Sequence, residues 1–268
     1  MSTLTPDSAT TLISFRGVSV TRSRKSILDQ INWDVSLGER WVIIGPNGAG
    51  KTTLLSIIAS YLFPSQGEVR ILGSRLGQID TAELKTRIGM TSASLLNLVP
   101  EDERAGDIVL SSAYAVFGRW QEEYDPWDES RSSALLSALG VRELKDRIFS
   151  TLSEGEKKRV MIARALMPDP ELLLMDEPAA GLDLGGREDL LRRISELSSD
   201  PSAPATIMVT HHLEEIPAGT THLLVLKDGR SFAQGRIEEI LTSDLLSDLY
   251  GMRLELDSRH GRYFARSL

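Results

Sequence analysis

Strand-like and helix-like hydrophobic patterns alternate along this chain. Residues 12–20 and 27–37 read as strands of an N-terminal sheet. Trp41-Val42-Ile43-Ile44 is a short, nearly all-apolar run ending at Gly45, the pattern of a strand buried in a parallel sheet. From Lys51 to about Tyr61 the apolar positions Leu54, Leu55, Ile58 and Leu62 fall at helical spacing, with Pro64 as the stop. Residues 67–72 and 87–91 read as further strands. From 93 to 168 the character changes, and helical patterns over 104–118, 129–139 and 154–167 predict a helical insertion. Strand and helix alternate again through 171–176, 186–199, 205–210 and 221–226. Lys227-Asp228-Gly229-Arg230 predicts a hairpin turn, and the tail from Arg236 predicts short helices and then strands at 252–257 and 262–266.

This alternation predicts an α/β protein with a parallel-sheet core. Residues 1–11 are polar and Ser/Thr-rich and read as a frayed tail. Residues 12–268 then make one domain, with a helical subdomain of about 93–168 inserted in it. At 268 residues and 41% hydrophobic, the chain can bury a core without covalent staples. It has no cysteine, which excludes disulfides and thiolate metal sites and fits a reducing compartment. A net charge of -8 argues for solubility and against a general nucleic-acid binder. No apolar run reaches the ~18 residues of a membrane span. The start, Met1-Ser2-Thr3-Leu4-Thr5-Pro6-Asp7, lacks the basic and apolar regions of a signal peptide, so a cytoplasmic location is expected.

Gly45-Pro46-Asn47-Gly48-Ala49-Gly50-Lys51-Thr52 matches the phosphate-loop pattern G-x-x-x-x-G-K-[ST] in full, between a predicted strand and a predicted helix. The glycines let backbone wrap closely round phosphates, and the helix start adds unpaired N–H groups and a positive dipole end. Lys51 brings a point charge for the β and γ phosphates, Thr52 a hydroxyl for Mg²⁺, and Thr53 completes the candidate nucleotide contacts. Asp176 and Glu177 end the apolar run Leu172-Leu173-Leu174-Met175, at the carboxyl edge of a predicted parallel strand, where ligands of such sheets sit. Asp176 is the candidate Mg²⁺ ligand. Glu177 points elsewhere and is the candidate group for polarising an attacking water. The alternative is a strand that ends in a solvated Asp-Glu-Pro turn.

Leu152-Ser153-Glu154-Gly155-Glu156 precedes a helical pattern, and Ser153 with Glu156 spells a capping box. Taken alone it is a well-capped helix whose start is an anion site. With the two phrases above, the chain resembles the nucleotide-binding subunits of ABC (ATP-binding cassette) transporters, from about residue 12 to 260. Residues 45–52 are similar to the Walker A loop, 172–177 to the Walker B strand and 152–156 to the signature phrase, usually LSGGQ. Ala180-Gly181-Leu182-Asp183 is similar to the D-loop, and Thr210-His211 to the switch histidine.

The resemblance implies a P-loop NTPase fold with a RecA-like parallel-sheet core, an N-terminal antiparallel β subdomain and the helical insertion. It implies ATP and Mg²⁺ as cofactors, and a head-to-tail dimer with itself or another ABC ATPase subunit. ATP then lies between the Walker loop of one copy and Ser153, Gly155 and Glu156 of the other. It implies Glu177 as base, His211 at the γ-phosphate and a D-loop role for Asp183. His212 beside it reads as structural.

The chain departs from the family pattern in four ways. Glu154 and Glu156 replace a Gly and a Gln of the signature, with Lys157, Lys158 and Arg159 following as possible compensation. The adenine-stacking aromatic falls at Arg22, whose guanidinium plane can stack on a base; an exposed turn residue is the equal alternative. The Q-loop glutamine falls on Ala93, with Ser92 and Ser94 as partial substitutes, and Ala180 stands where a D-loop serine is common. The tail, Gln234 to Thr242 and Leu249-Tyr250-Gly251, resembles the ATPases of iron-siderophore and vitamin B12 importers. The Ser-rich stretch after Gly89 and residues 107–110 resemble a molybdate-transport-associated ATPase group. An importer ATPase working with integral-membrane permease subunits, peripheral on the inner face of the membrane, is therefore expected. An exporter ATPase, or a soluble ABC ATPase coupled to no transporter, is the alternative.

Overall fold

The computed structural model describes residues 11–118, 124–200 and 202–268. The elements are β1 (Thr11–Arg22), β2 (Lys25–Ser36), β3 (Arg40–Ile44), α1 (Lys51–Ile58), β4 (Gln66–Ile71), β5 (Ser74–Arg75), α2 (Thr81–Thr86), β6 (Ile88–Thr91), α3 (Ala93–Leu96) and α4 (Ala105–Ser111). They continue with α5 (Pro126–Ala138), α6 (Glu154–Leu166), β7 (Leu172–Asp176), α7 (Leu184–Ser198), β8 (Ala205–Val209), β9 (His222–Lys227), β10 (Arg230–Arg236), α8 (Ile237–Ile240), α9 (Ser243–Tyr250), β11 (Leu254–Arg259) and β12 (Arg262–Ser267). Two compact units result. The first runs through Lys85 and takes in Thr220–Arg259 and Tyr263–Leu268; the second comprises Thr86–Gly219 and His260–Arg262.

In the first unit, β2, β1, β4 and β5 form an antiparallel sheet. Its buried positions change parity along the strand. Ile13 and Phe15 are buried at odd positions of β1, Val18 and Val20 at even ones. Two bulges make this possible. Phe15 pairs with Trp33 but Val18 with Ile31, so β1 carries one extra residue at Arg16-Gly17, with Gly17 at φ 58. Val20 then pairs with Leu28, so β2 carries one extra residue in its turn, at Gln30 with φ 53. Without the pair of bulges, half of these apolar side chains would face water.

The same unit pairs β3 with β9 in parallel, from Trp41 opposite His222 to Ile44 opposite Val225, and β9 with β10 as a hairpin. The turn Asp228-Gly229 has both residues at positive φ, the geometry that suits a two-residue hairpin. Trp33 is 1% exposed and touches Phe15 (ring centroids 6.0 Å) and Trp41 (5.3 Å, edge-on), joining strands β1, β2 and β3. Truncating such a side chain to alanine costs about 3–5 kcal/mol.

In the second unit, β8, β7 and β6 run parallel, with Leu172 opposite both Ile88 and Ala205. Leu172–Met175 and all of β8 are buried. α6 buries Val160 through Leu166, and α4 and α5 belong to the same unit. Asp125 caps α5, accepting from Asp128 N–H at 2.8 Å, and Pro126 opens it, so the helix starts three residues before the expected 129.

Most expected elements occur close to their predicted places, but the helix expected over 104–118 ends at Ser111, where a tighter turn over Ser112–Tyr114 leads to Ala115 in a left-handed conformation (φ 58) that breaks it. α1 ends at Ile58, well before Pro64, because Ser60 adopts a left-handed conformation and Tyr61 N–H bonds back to Ser56 O at 2.9 Å. β1 extends through Arg22, which pairs with Lys25 across a turn formed by Ser23 and Arg24. α2, α3 and β5 were not expected; each is too short to show a period. Residues 1–10 of the expected tail lie outside the described residues, and Thr11 opens β1.

Candidate nucleotide site

The phosphate loop belongs to the first unit. β3 delivers the chain to Gly45, and α1 begins at Lys51 behind Gly50 (φ 99), with no side chain capping its first turn. The start of α1 thus presents backbone N–H groups to a ligand, the arrangement that binds anions. Gly45 cannot be replaced: a Cβ there would lie 2.1 Å from Leu226 O. Asn47 and Gly48 are exposed at the loop tip, while Ala49 and Gly50 are buried beneath it. Lys51 is 5% exposed and donates to Gly45 O at 2.7 Å and Pro46 O at 3.0 Å. Its ammonium is thereby held inside the curve of the loop. Thr52 is exposed and Thr53 half-buried on the following helix turn. Arg22 is exposed at the end of β1.

The carboxylates belong to the second unit. Buried β7 emerges at half-buried Asp176, and Glu177 follows at φ 50, its N–H bonded to Val209 O at 3.0 Å. A left-handed glutamate costs on the order of 1–2 kcal/mol. The turn sends its side chain away from that of Asp176 to meet His211, whose Nε2 contacts Glu177 Oε1. His211 is held by its neighbours. Thr210 is fully buried and donates to the carboxylate of Glu215, itself 4% exposed, while accepting from His212 N–H at 3.1 Å. The His212 side chain is exposed; it is this residue's backbone that fixes the loop. Asp183 caps α7, accepting from Gly186 N–H at 2.7 Å.

The signature phrase is the capped helix start that its spacing predicts. Ser153 N–H donates to Glu156 Oε2 at 2.7 Å, and Glu156 N–H to Ser153 Oγ at 3.4 Å. The backbone hydrogen bond from Ser153 holds the Glu156 carboxyl below its usual range. Glu154 pairs with Lys157 at 3.0 Å. Both unusual carboxylates are therefore answered locally. The three following cations do not act together: Arg159 pairs with Asp189 at 2.8 Å, and Lys158 turns to Ala180 O. Ser92 and Ser94, which flank the Q-loop position, bond to each other at 2.9 Å. Ala93 opens α3. Sequence reasoning missed Glu215 as a support of the histidine loop. A carboxylate three residues past an exposed His has no signal of its own; only burial shows it.

The family profile described as ABC transporter matches residues 28–180. The chain belongs to the ABC transporter family. It is 44% identical over 242 residues to the uncharacterized ABC transporter ATP-binding protein YlmA of Bacillus subtilis strain 168, covering 89% of this chain and 90% of that protein. It is 31% identical over 231 residues to the ferric enterobactin transport ATP-binding protein FepC of Escherichia coli K12, covering 85% and 83%. The dimeric structure of a bacterial ABC transporter cassette matches with a TM-score of 0.73 at 25% identity, over 84% of this chain and 99% of that one. The cassette fold, with its mixed parallel and antiparallel sheets, is thus established, and the chain is an ABC ATP-binding subunit that hydrolyses ATP.

Proposed function

We propose that this cassette drives an importer, as one of two ATPase subunits that pack head to tail on integral-membrane permease subunits at the inner face of the membrane. The observation that carries the catalytic part is the left-handed turn at Glu177, which brings its carboxylate to His211. Glu177 polarises the attacking water, and His211, steadied by Thr210 and Glu215, contacts the γ-phosphate. Gly45, Asn47, Gly48, Ala49, Gly50, Lys51, Thr52 and Thr53 hold the phosphates, and Arg22 stacks on the base. Ser153 and Gly155 of the second copy close the site, while Glu156 maintains the helix start that presents them. Asp183 orders the loop behind Glu177.

Mg²⁺ fits the residues available. The Thr52 hydroxyl and the Asp176 carboxylate are hard oxygen donors, and Mg²⁺ binds with one or two such groups plus phosphates and water. When bound, the ion supplies charge neutralisation for the phosphates. Importer use is supported by the similarity to a ferric enterobactin transport ATPase, so an iron chelate is the proposed cargo class. Among the described residues no helix is long and apolar enough to cross a membrane.

Affinity purification of the tagged chain from detergent-solubilised membranes tests this. Recovery of a multispanning partner that stimulates ATP turnover is expected. Recovery of a second cassette alone would overturn the transport role in favour of a soluble ABC ATPase, the reading that Ala93 at the Q-loop position would then favour.

A further inference from the structure

Glu177 and Ala180 line two cavities of about 230 Å³ each. One includes His211; the other includes Asp176, Glu154, Ala93 and Lys158. In the second, Lys158 is the sole cation among the described lining residues, set against three carboxylates. Its two cationic neighbours are engaged elsewhere, Lys157 with Glu154 and Arg159 with Asp189. The Lys158 ammonium donates to Ala180 O, and Ala180 N–H donates to Glu177 O at 3.2 Å. One residue therefore separates the lysine from the backbone of the proposed base. At the far end of the same helix turn stands the signature phrase. Burial lowers the pKa of this ammonium, and the charges of Glu154, Glu215 and Glu177 oppose that fall.

Position 93 contributes only a methyl group to this cavity, and the flanking serine hydroxyls are bonded to each other. We propose that Lys158 is a positioning residue for hydrolysis: it ties the signature helix to the loop behind Glu177 and supplies the polar tether that position 93 lacks. The tether fixes the left-handed turn that aims Glu177. It also sets one positive charge among the three carboxylates that line the cavity. In addition, it links the helix start offered to the second copy's ATP with the carboxylate that serves the chain's own ATP.

The inference rests on Glu177 as the base, and the test separates the two. Steady-state ATP turnover, fluorescent-nucleotide affinity and thermal midpoint are measured for the full chain and for Lys158→Ala, Lys158→Arg and Lys158→Ala combined with Ala93→Gln. Lys158→Ala is expected to lower kcat about ten- to a hundredfold, the range of a lost charge-assisted hydrogen bond, with KM and nucleotide affinity within about twofold. Lys158→Arg restores most of kcat, because a guanidinium can still donate to Ala180 O. Adding Ala93→Gln to Lys158→Ala recovers part of the loss. A kcat for Lys158→Ala within twofold of the parent overturns the proposal. So does a loss that arginine does not restore and that comes with a matching fall in thermal midpoint. No recovery on adding Ala93→Gln refutes the link to position 93. Wild-type turnover in Glu177→Gln removes the base itself, a separate result from any of these.

Discussion

The phosphate loop and the carboxylate centre are built on opposite plans. The loop is eight consecutive residues whose working parts are backbone N–H groups, one helix start and one lysine. Its requirements are steric, as at Gly45, where any side chain meets Leu226 O. The carboxylate centre gathers side chains from four separated segments: the end of β7, the loop before α7, the loop after β8 and the start of α6. Its requirements are electrostatic, with Glu177 facing His211, and Lys158 within reach of the charges of Glu154, Glu215 and Glu177. A loop made of backbone tolerates little change of shape. A centre made of side chains tolerates substitution, provided another segment supplies the missing group. All four departures from the family pattern lie outside the Walker phrases, and three of them, at Ala93, Glu154/Glu156 and Ala180, lie beside the carboxylates or on the signature helix.

The contrast predicts which measurements should separate the two. Glu177→Gln should reduce turnover by about 10²–10⁴ while leaving nucleotide affinity intact, and should accumulate an ATP-bound dimer visible by size-exclusion chromatography. Turnover at the parent rate would exclude Glu177 as base. Lys51→Ala should do the reverse, weakening fluorescent-nucleotide binding about a hundredfold, as expected for lost charge-assisted hydrogen bonds in a buried loop. Unchanged affinity would remove the phosphate-loop role. Thr210→Val leaves the Glu215 carboxylate without its hydroxyl donor; it should cost about 2 kcal/mol in urea unfolding and reduce turnover with little effect on nucleotide affinity. A stable variant with normal turnover would show that the histidine loop does not need this support.

The smallest effect concerns the signature cap. Glu156→Ala should cost about 0.5–1 kcal/mol at neutral pH. The folded pKa of Glu156 is depressed, so its contribution is fully present above the unfolded value of ~4.3 and fades as pH falls through the folded value. The stability gap between parent and variant should therefore narrow in acid. A gap independent of pH from 7 to 3 would mean that the carboxylate does not act through the cap.

Much of the fold was legible because buried strands announce themselves in short apolar runs. Trp41–Ile44 and Leu172–Met175 are such runs, and both are strands that lead directly into functional loops. The capping box at Ser153 was legible for the same local reason, since both partners lie within one helix turn. The bulges at Gly17 and Gln30 were not. They show only as a change of parity in the apolar pattern, and pairing decides on which strand the extra residue falls. The helix stop at Ser60 was hidden because a serine rarely adopts the left-handed turn that ends α1.

By itself, then, the sequence determined the phosphate loop, the order of the Walker and signature phrases and the capped helix behind Ser153, because each is a contiguous backbone device. Tertiary structure alone decided that Glu177 turns to His211, that Glu215 is buried under Thr210, and that Lys158, out of three adjacent cations, is the one that reaches Ala180. Those outcomes depend on which segments the fold brings within a few ångströms of one another. Charge interactions in a partly buried site are set by that distance and burial, and neither is written in local residue order.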